Sequence, residues 1–305
     1  MIEIIGKTHV DFMGKRKMAF VLSGILVLLG LFSMIQIVRG SANLGIDFSG
    51  GTAVQLKFDK AFSIERARET LSAHGLPDAE LQEFTQDHKL LVRVKTSTTI
   101  EEEIAEKIVD LFQKEFSDYQ IVVDSSMSIG PTIGHKLQQD ALIAITLSLI
   151  GVILYIATRF EFRFGVAAAI ATFHDVLAVL GLYYVMDKEI TLLVVTALLT
   201  LAGYSLTDTV VVFDRIRENL RQRRRDTVTT IINNGINQVL SRTLITTATT
   251  MLVLIPLTLF GGEVIHDFSL ALLLGVIVGT YSSVFVASPL LMLWPGAEGR
   301  LLRRG

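Results

Sequence analysis

Two ionisable residues, Asp208 and Arg242, lie in apolar stretches, and the chemistry of this sequence starts from them. A charged group in hydrocarbon is costly unless it is paired or hydrated, so each position needs an explanation. Because the two residues flank the same basic loop, they should lie at similar depth and could pair if their helices are neighbours. Apolar surroundings disfavour an ionised carboxylate, whereas a nearby guanidinium favours it. Movement of Arg242 relative to Asp208 would therefore change proton affinity.

Other polar residues occur in the same apolar stretches. Three threonines follow Arg242 at helical spacing and form a stripe that a purely lipid-facing helix would not keep: Thr246, Thr249 and Thr250. His174 and Asp175 lie beside small residues and fit either a proton-binding role or a hydrogen bond that only fixes helix packing. The sequence therefore predicts a proton-coupling pair, Asp208 and Arg242, with these candidate supporting residues: His174, Asp175, Thr207, Thr246 and Thr249.

The composition indicates that these polar residues lie in a membrane protein. Of 305 residues, 50% are hydrophobic and 19% charged, whereas soluble domains have about 25% charged residues. A hydrocarbon core about 30 Å thick requires roughly 20 apolar residues in a helix. Six stretches meet this length, approximately 18–38, 139–158, 164–185, 190–213, 242–260 and 268–293. We predict an α-helical polytopic membrane protein with six transmembrane helices, not an ordinary soluble enzyme.

Basic residues predict the orientation, because Lys and Arg in short loops stay on the cytoplasmic side. With six spans, four basic groups fall on one side: Lys7, Lys15, Arg16 and Lys17; Arg159 and Arg163; Arg215, Arg217, Arg221 and 223–225; Arg300, Arg303 and Arg304. This pattern predicts a cytoplasmic N-terminus (1–17), a cytoplasmic basic loop (214–241) within the 139–293 membrane segment and a cytoplasmic tail (294–305). The first apolar stretch exceeds the roughly 7–15 residues of a secretory signal, so we expect a retained anchor.

The segment 39–138 has a soluble composition and is predicted to be an external domain. Its strands are expected near 52–58, 79–84, 89–95 and 119–124, and its first helix places Ile64, Ala67 and Leu71 on one face. A capping box of Thr99 and Glu102 predicts the second helix. The order β-α-β-β-α-β is ferredoxin-like: two helices cover one face of an antiparallel sheet.

Motifs for other chemistry are missing from the sequence. It contains no Walker glycine loop, His-x-x-x-His pair or nucleophile elbow in a suitable setting, and Gly50-Gly51 fits a tight turn better than a phosphate loop. The absence of cysteine excludes thiolate catalysis and Cys-based metal sites. A net charge of −2 without an extended basic patch argues against nucleic acid. We expect no enzyme activity, no cofactor and no metal, with H⁺ as coupling ion; carboxylate and hydroxyl oxygens would also suit Na⁺.

Several motifs occur together along nearly the whole chain: LGIDFSGGT (44–52), FRFGVAAAIATFHD (162–175), GYSLTDTVVVFDRIREN (203–219), SRTLITT (241–247) and LFGG (259–262). With them the chain resembles the SecF members of the SecD/SecF family, bacterial protein-export membrane subunits of the resistance-nodulation-division (RND) superfamily. The resemblance implies that the chain forms half of an RND-type architecture. It also implies three partners: a SecD-like partner half, the SecYEG channel and a translocating preprotein. It also implies that the proton motive force drives late translocation across the bacterial inner membrane, and it places proton transport on Asp208 and Arg242.

Two other functions fit the same spans. One is half of an RND small-molecule or lipid exporter, although such exporters usually need a larger external domain than about 100 residues. The other is a scaffold that stabilises the channel complex and whose charges are buried only for packing. Membrane lipid is an expected partner under every one of these functions. The substitution Asp208→Asn separates the scaffold from the proton-driven export subunit. A scaffold should lose assembly with its partners, whereas an export motor should assemble normally and lose activity.

Overall fold

The computed structural model describes residues 8–85, 87–95, 101–222 and 226–293, without the side chains of 101–103 and 263. Its elements, in chain order, are α1 (Arg16–Val38), α2 (Ile46–Ser49), β1 (Gly51–Phe58), α3 (Ile64–Ala73), β2 (Glu80–Phe84), β3 (Lys89–Val94), α4 (Glu101–Glu115), β4 (Ile121–Ile129), α5 (Pro131–Arg159), α6 (Phe162–Val185), α7 (Leu192–Gln222), α8 (Val228–Phe260), α9 (Gly262–Ser282), a π-helical turn (Ser283–Ala287) and α10 (Ser288–Leu290). They form two compact units, 44–143 and the remainder of the chain.

Six helices of the described ranges are long and apolar enough to cross a membrane, as predicted: Arg16–Val38, Pro131–Arg159, Phe162–Val185, Leu192–Gln222, Val228–Phe260 and Val264–Leu290. Several extend beyond the predicted spans. Most of the predicted loop 214–241 is helical, because α7 continues to Gln222 and α8 begins at Val228. Thr227 caps α8 by accepting a hydrogen bond from the Thr230 N–H. The helices continue through polar sequence because their hydrogen bonds join backbone atoms and do not require apolar side chains.

Several sequence predictions fall outside the described residues. They concern the basic residues Lys7, 223–225, Arg300, Arg303 and Arg304, the tail 294–305, and the capping box of Thr99 and Glu102.

Helices α1 and α6 pack closely because small residues form the contact. The buried residues of α1 are Ala19, Ser23, Gly30 and Ser33. A Cβ atom on Gly30 would lie 2.2 Å from the Leu177 carbonyl oxygen of α6, and one on Gly181 would lie 2.7 Å from the Gly30 nitrogen. Such close backbone approach is typical of membrane helix pairs. It holds α6, which contains His174 and Asp175, against α1.

The segment before α1 is tied to α8 by two asparagines. The backbone N–H of Val10 donates to Asn237 Oδ1 over 2.9 Å, and that of Phe12 donates to Asn233 Oδ1 over 3.0 Å. Asn233 Nδ2 in turn donates to Asp11 Oδ1 at 2.7 Å. The Phe12 ring is buried among the side chains of the membrane unit. Residues 8–15 therefore form a strap on the amino-terminal part of α8.

The unit 44–143 contains a four-stranded antiparallel sheet in the order β2-β3-β1-β4. Helices α3 and α4 contribute Ala67, Leu71, Ile108 and Phe112 to one core with the alternating residues of β1. This confirms the predicted β-α-β-β-α-β order. Gly51 begins β1 with a φ of +131°, and a Cβ there would meet the Val94 carbonyl oxygen at 2.4 Å, so only glycine fits.

Candidate functional site

Polar side chains from four helical segments meet inside the membrane unit. They come from α6, α7, α8 and the junction of α9 with the π-helical turn: His174 and Asp175; Ser205 and Asp208; Thr243; Ser282 and Ser283. We call these residues the polar cluster. Their helices surround it with apolar residues such as Leu206 and Val284. Hydroxyl, carboxylate and imidazole groups can therefore exchange hydrogen bonds away from bulk water.

Asp208 is half-buried and accepts two hydrogen bonds from neighbouring helices. Thr243 Oγ1 of α8 donates to Oδ1 over 2.8 Å, and Ser283 Oγ donates to Oδ2 over 2.6 Å. Both distances are typical of O–H···O hydrogen bonds. The carboxyl group thus joins three helical segments, and a change in its protonation would act on all three.

Asp175 is fully buried and accepts three hydrogen bonds. His174 Nδ1 lies 2.9 Å from Oδ1, while Ser205 Oγ of α7 and Ser282 Oγ both donate to Oδ2, the latter over 2.8 Å. His174 Nε2 is buried and has no hydrogen-bond partner among the described residues. Asp175 therefore bonds to α7 and to the end of α9. The unpartnered imidazole nitrogen is a polar atom whose hydrogen-bonding capacity is unused among the described residues.

Two consecutive serines connect the carboxylates. Ser282 donates to Asp175 and Ser283 donates to Asp208, and the π-helical turn begins at Ser283. Each hydroxyl also lies near a carbonyl of its own helix: Ser283 Oγ is 3.1 Å from the Thr280 oxygen, and Ser282 Oγ is 3.2 Å from the Gly279 oxygen. Since π-helical turns are frequent at functional sites, this junction is suited to change when either carboxylate changes charge.

Arg242 lies on the exposed surface of this chain, although it directly precedes Thr243. Within the described ranges, no ion pair joins Asp208 and Arg242; the side-chain partners of the carboxylate are Thr243 and Ser283. Consecutive residues on a helix point about 100° apart, so only one of them can face α7. Helices α7 and α8 are neighbours, which was the condition for pairing, and the residue of α8 that contacts Asp208 is Thr243.

The other candidate supporting residues divide in the same way. His174 and Asp175 belong to the polar cluster, whereas the three threonines are exposed on α7 and α8: Thr207, Thr246 and Thr249. Each threonine hydroxyl donates to a carbonyl one turn earlier in its own helix. That bond satisfies the hydroxyl within an apolar environment. These threonines share the exposed surface with Arg242, which we call the α7–α8 polar face.

Sequence reasoning missed four members of the polar cluster: Ser205, Thr243, Ser282 and Ser283. A signal was present, because consecutive serines in an apolar stretch need hydrogen-bond partners. Their partners could not be identified without the helix arrangement. The described residues include no group of three His, Asp or Glu side chains placed to hold a metal ion.

Two family models match the sequence. The model described as "Protein export membrane protein SecD/SecF, C-terminal" matches residues 108–297, more than half of the chain. The "SecD/SecF GG Motif" matches residues 43–61, which include the Gly50-Gly51 turn.

Curated relatives are similar over almost the whole chain. A protein translocase subunit SecF from Thermodesulfovibrio yellowstonii is 48% identical, with 96% of this chain and 97% of the relative covered. SecF from Magnetococcus marinus is 41% identical, with 96% of this chain and 95% of the relative covered.

Two solved structures are also similar. SecDF from Thermus thermophilus, titled a translocon-associated membrane protein, is 33% identical with a TM-score of 0.82. The match covers 96% of this chain and 39% of that one. SecDF in a super-membrane-facing form is 35% identical with a TM-score of 0.67, covering 94% of this chain and 39% of that one.

Proposed function

This chain belongs to the SecD/SecF family of protein export membrane proteins, and from that premise we propose that it uses the proton motive force to drive late preprotein translocation. It is a multi-pass membrane protein of the SecF type. The observation that supports the proposal is Asp208, a carboxyl group bonded to two neighbouring helical segments inside an apolar membrane unit. Proton flow supplies about 2.3 kcal/mol per 100 mV for each charge.

The coupling step starts with a proton on Asp208. An ionised carboxylate only accepts hydrogen bonds, whereas a protonated carboxyl donates one. Ser283 Oγ has two acceptors in reach, Asp208 Oδ2 at 2.6 Å and the Thr280 carbonyl at 3.1 Å. Protonation weakens the first bond and shifts the hydroxyl toward the second. The hydroxyl then donates to Thr280 and only accepts from the protonated carboxyl, so the link between α7 and the π-helical turn is weakened and the two segments can move apart.

The same movement reaches Asp175 through the adjacent residue. Ser282 occupies the next position of the same backbone and donates to Asp175 Oδ2. A shift of the Ser282–Ser283 backbone therefore changes the hydrogen bonds of both carboxylates. We propose that this linked pair switches the membrane unit between two arrangements, and that the unit 44–143 transmits the change to the preprotein.

A SecD-like half is the partner that we propose for the α7–α8 polar face. This face exposes Arg242 and three threonines at the depth of apolar helix segments. An exposed guanidinium in hydrocarbon is unfavourable, so another protein surface should cover it. A partner carboxylate there would complete a proton path with Asp208. We further propose that the complex acts with SecYEG in the bacterial inner membrane, with both termini in the cytoplasm.

The test measures how fast pulse-labelled secretory precursors mature in cells depleted of the chromosomal protein. Wild type, Asp208→Asn and a control, Asp187→Asn, are supplied at matched abundance. The control has the same chemistry but lies in the loop between α6 and α7, where φ is +51° and asparagine is tolerated. We expect slow export with Asp208→Asn alone, and little further slowing when an uncoupler removes the proton potential.

The outcomes separate the three functions. Normal export with Asp208→Asn refutes the motor, and loss of drug or lipid efflux in the same cells indicates an exporter half. Loss of the purified complex with its partners, instead of an inactive complex, indicates a scaffold. Repeating the measurement with and without sodium at constant potential distinguishes H⁺ from Na⁺, because only a sodium-coupled protein would stop in sodium-free medium.

A further inference from the structure

A cavity of about 270 Å³ lies at one edge of the membrane unit, away from the polar cluster. It lies between the last residue of α5 and the polar final turns of α7. Its lining residues are mostly charged: Arg159, Asp214, Arg217, Glu218, Arg221 and Gln222. We call it the arginine pocket. The proton-coupling proposal makes no use of it.

Two arginines that line the pocket have no ion-pair partner among the described residues and can bind an anion. Arg159 Nη2 lies 2.5 Å from Asp214 Oδ2, so these two residues neutralise each other. The carboxylate of Glu218 is paired with a residue outside the lining, Arg215, at 2.6 Å. The remaining cations are Arg217 and Arg221, one helical turn apart on α7. The pocket therefore has a positive surplus on one side.

Arg217 also has an unused hydrogen-bond donor. Its Nε atom is shielded from solvent and finds no acceptor in the described part of the chain. A buried donor without an acceptor is unfavourable, so a rotation of the Arg217 side chain that brings Nε to an acceptor in the pocket would stabilise it. The guanidinium fork matches phosphate oxygens in geometry and charge. A phosphate group between Arg217 and Arg221 would satisfy both requirements.

The pocket lies where the apolar part of the unit ends. The Arg159 guanidinium stands over the Phe160 ring at 5.2 Å, and the Phe213 ring packs edge-on against Phe160 at 6.1 Å. Phe213 is the last apolar residue of α7 before its charged turns begin at Asp214. Aromatic rings on one side and arginines on the other mark a boundary between hydrocarbon and water.

We propose that the arginine pocket binds the phosphate of an anionic phospholipid. Helix α5 supports a lipid over a soluble phosphate, because Tyr155 and Ile145 are exposed on the same face of the helix as Arg159 and offer a surface along which acyl chains can lie. Basic pockets between transmembrane helices commonly hold anionic headgroups. This function is independent of proton coupling, and a phosphodiester headgroup is the ligand.

The test uses the purified full-length protein in a neutral detergent. Native mass spectrometry measures binding of phosphatidylglycerol and of phosphatidylcholine with identical acyl chains. We compare wild type with R217Q/R221Q and with R217K/R221K. The lysine variant keeps the positive charge but loses the bidentate hydrogen bonds of the guanidinium group. The matched control is K15Q/K17Q, which removes two cations before and within the first turn of α1. Size-exclusion profiles establish that each variant is folded.

We expect wild type to retain phosphatidylglycerol preferentially and R217Q/R221Q to bind it about tenfold more weakly or worse. The lysine variant should lie between them, and the control should equal wild type. Equal affinity for the two lipids, or unchanged binding by R217Q/R221Q, overturns the proposal. Displacement by millimolar inorganic phosphate would overturn the lipid as ligand. If R217Q/R221Q loses an acidic protein partner and binds lipid normally, the pocket is a protein contact and the proposal is also overturned.

Discussion

Replacing Gly30 with alanine should separate α1 from α6. The added Cβ would lie 2.2 Å from the Leu177 carbonyl oxygen and 2.7 Å from the Leu177 Cβ. These neighbours are the backbone and first side-chain atom of a packed helix, so no flexible side chain can rotate away. The helices must move apart by roughly 1 Å, a gap that forfeits about a quarter to a half of the dispersion energy of each contact.

The expected loss of stability is about 1–3 kcal/mol, as for other overpacked interiors. The displacement also reaches the polar cluster, because Leu177 is two residues after Asp175 on α6. Asp175 bonds to Ser205 and Ser282 from separate helices. A shift of α6 should stretch these bonds and slow export as well as lower stability.

Gly24 provides the matched control on the same helix. A Cβ at Gly24 meets no described atom within 4 Å, so Gly24→Ala should leave stability unchanged or slightly higher, since alanine is the better helix former. Thermal unfolding of both purified variants in one detergent, alongside precursor export at matched abundance, measures the difference. Equal stability of Gly30→Ala and Gly24→Ala would refute close α1–α6 packing.

Ser283→Ala should remove one of the two hydrogen bonds to Asp208, costing roughly 1–2 kcal/mol in a membrane interior, and slow export at constant abundance. Phe58→Ala should destabilise the unit 44–143 by about 3–5 kcal/mol, measured as protease resistance of the intact chain, because Phe58 is 2% exposed in the core of the unit. Hydrogen bonds from the Gly14 N–H and from Asn233 hold the pKa of Asp11 below its ordinary value of 3.8. The contribution of Asp11 to strap binding should therefore persist from pH 7 to 4 and be lost only as pH falls through the lowered pKa.

Each of these predictions has its own control. Ser288→Ala removes a serine at the start of α10 whose hydroxyl donates, among the described residues, to the Ser283 carbonyl and to no carboxylate; if it slows export as much as Ser283→Ala, the carboxylate bond is not responsible. Val122→Ala truncates an exposed residue of β4. A loss of protease resistance equal to that of Phe58→Ala would contradict the prediction that burial of Phe58 stabilises the unit 44–143. For the strap, Asp11→Asn should expose Lys15 to trypsin at neutral pH, where wild type stays protected; equal cleavage would disprove its role.

The sequence by itself determined the number of membrane helices and the order of elements in the unit 44–143. Both follow from local rules: hydrocarbon thickness fixes the length of an apolar run, and side-chain period distinguishes helix from strand. Asp208 was identifiable for the same reason, because a carboxylate in an apolar run is unusual wherever its neighbours lie. Even the glycine pair at the start of β1 indicated a turn, since glycine tolerates positive φ.

Only the tertiary structure decided which polar residues meet. In α8 the sequence drew attention to the stripe after Arg242, but the residue that contacts Asp208 is Thr243, one position and about 100° around the helix. Likewise, Asp175 and Asp208 are linked by Ser282 and Ser283 from a distant segment. A helix with polar residues on several faces does not specify which face is buried. That choice depends on where the neighbouring helices pack, and packing is a property of the whole membrane unit.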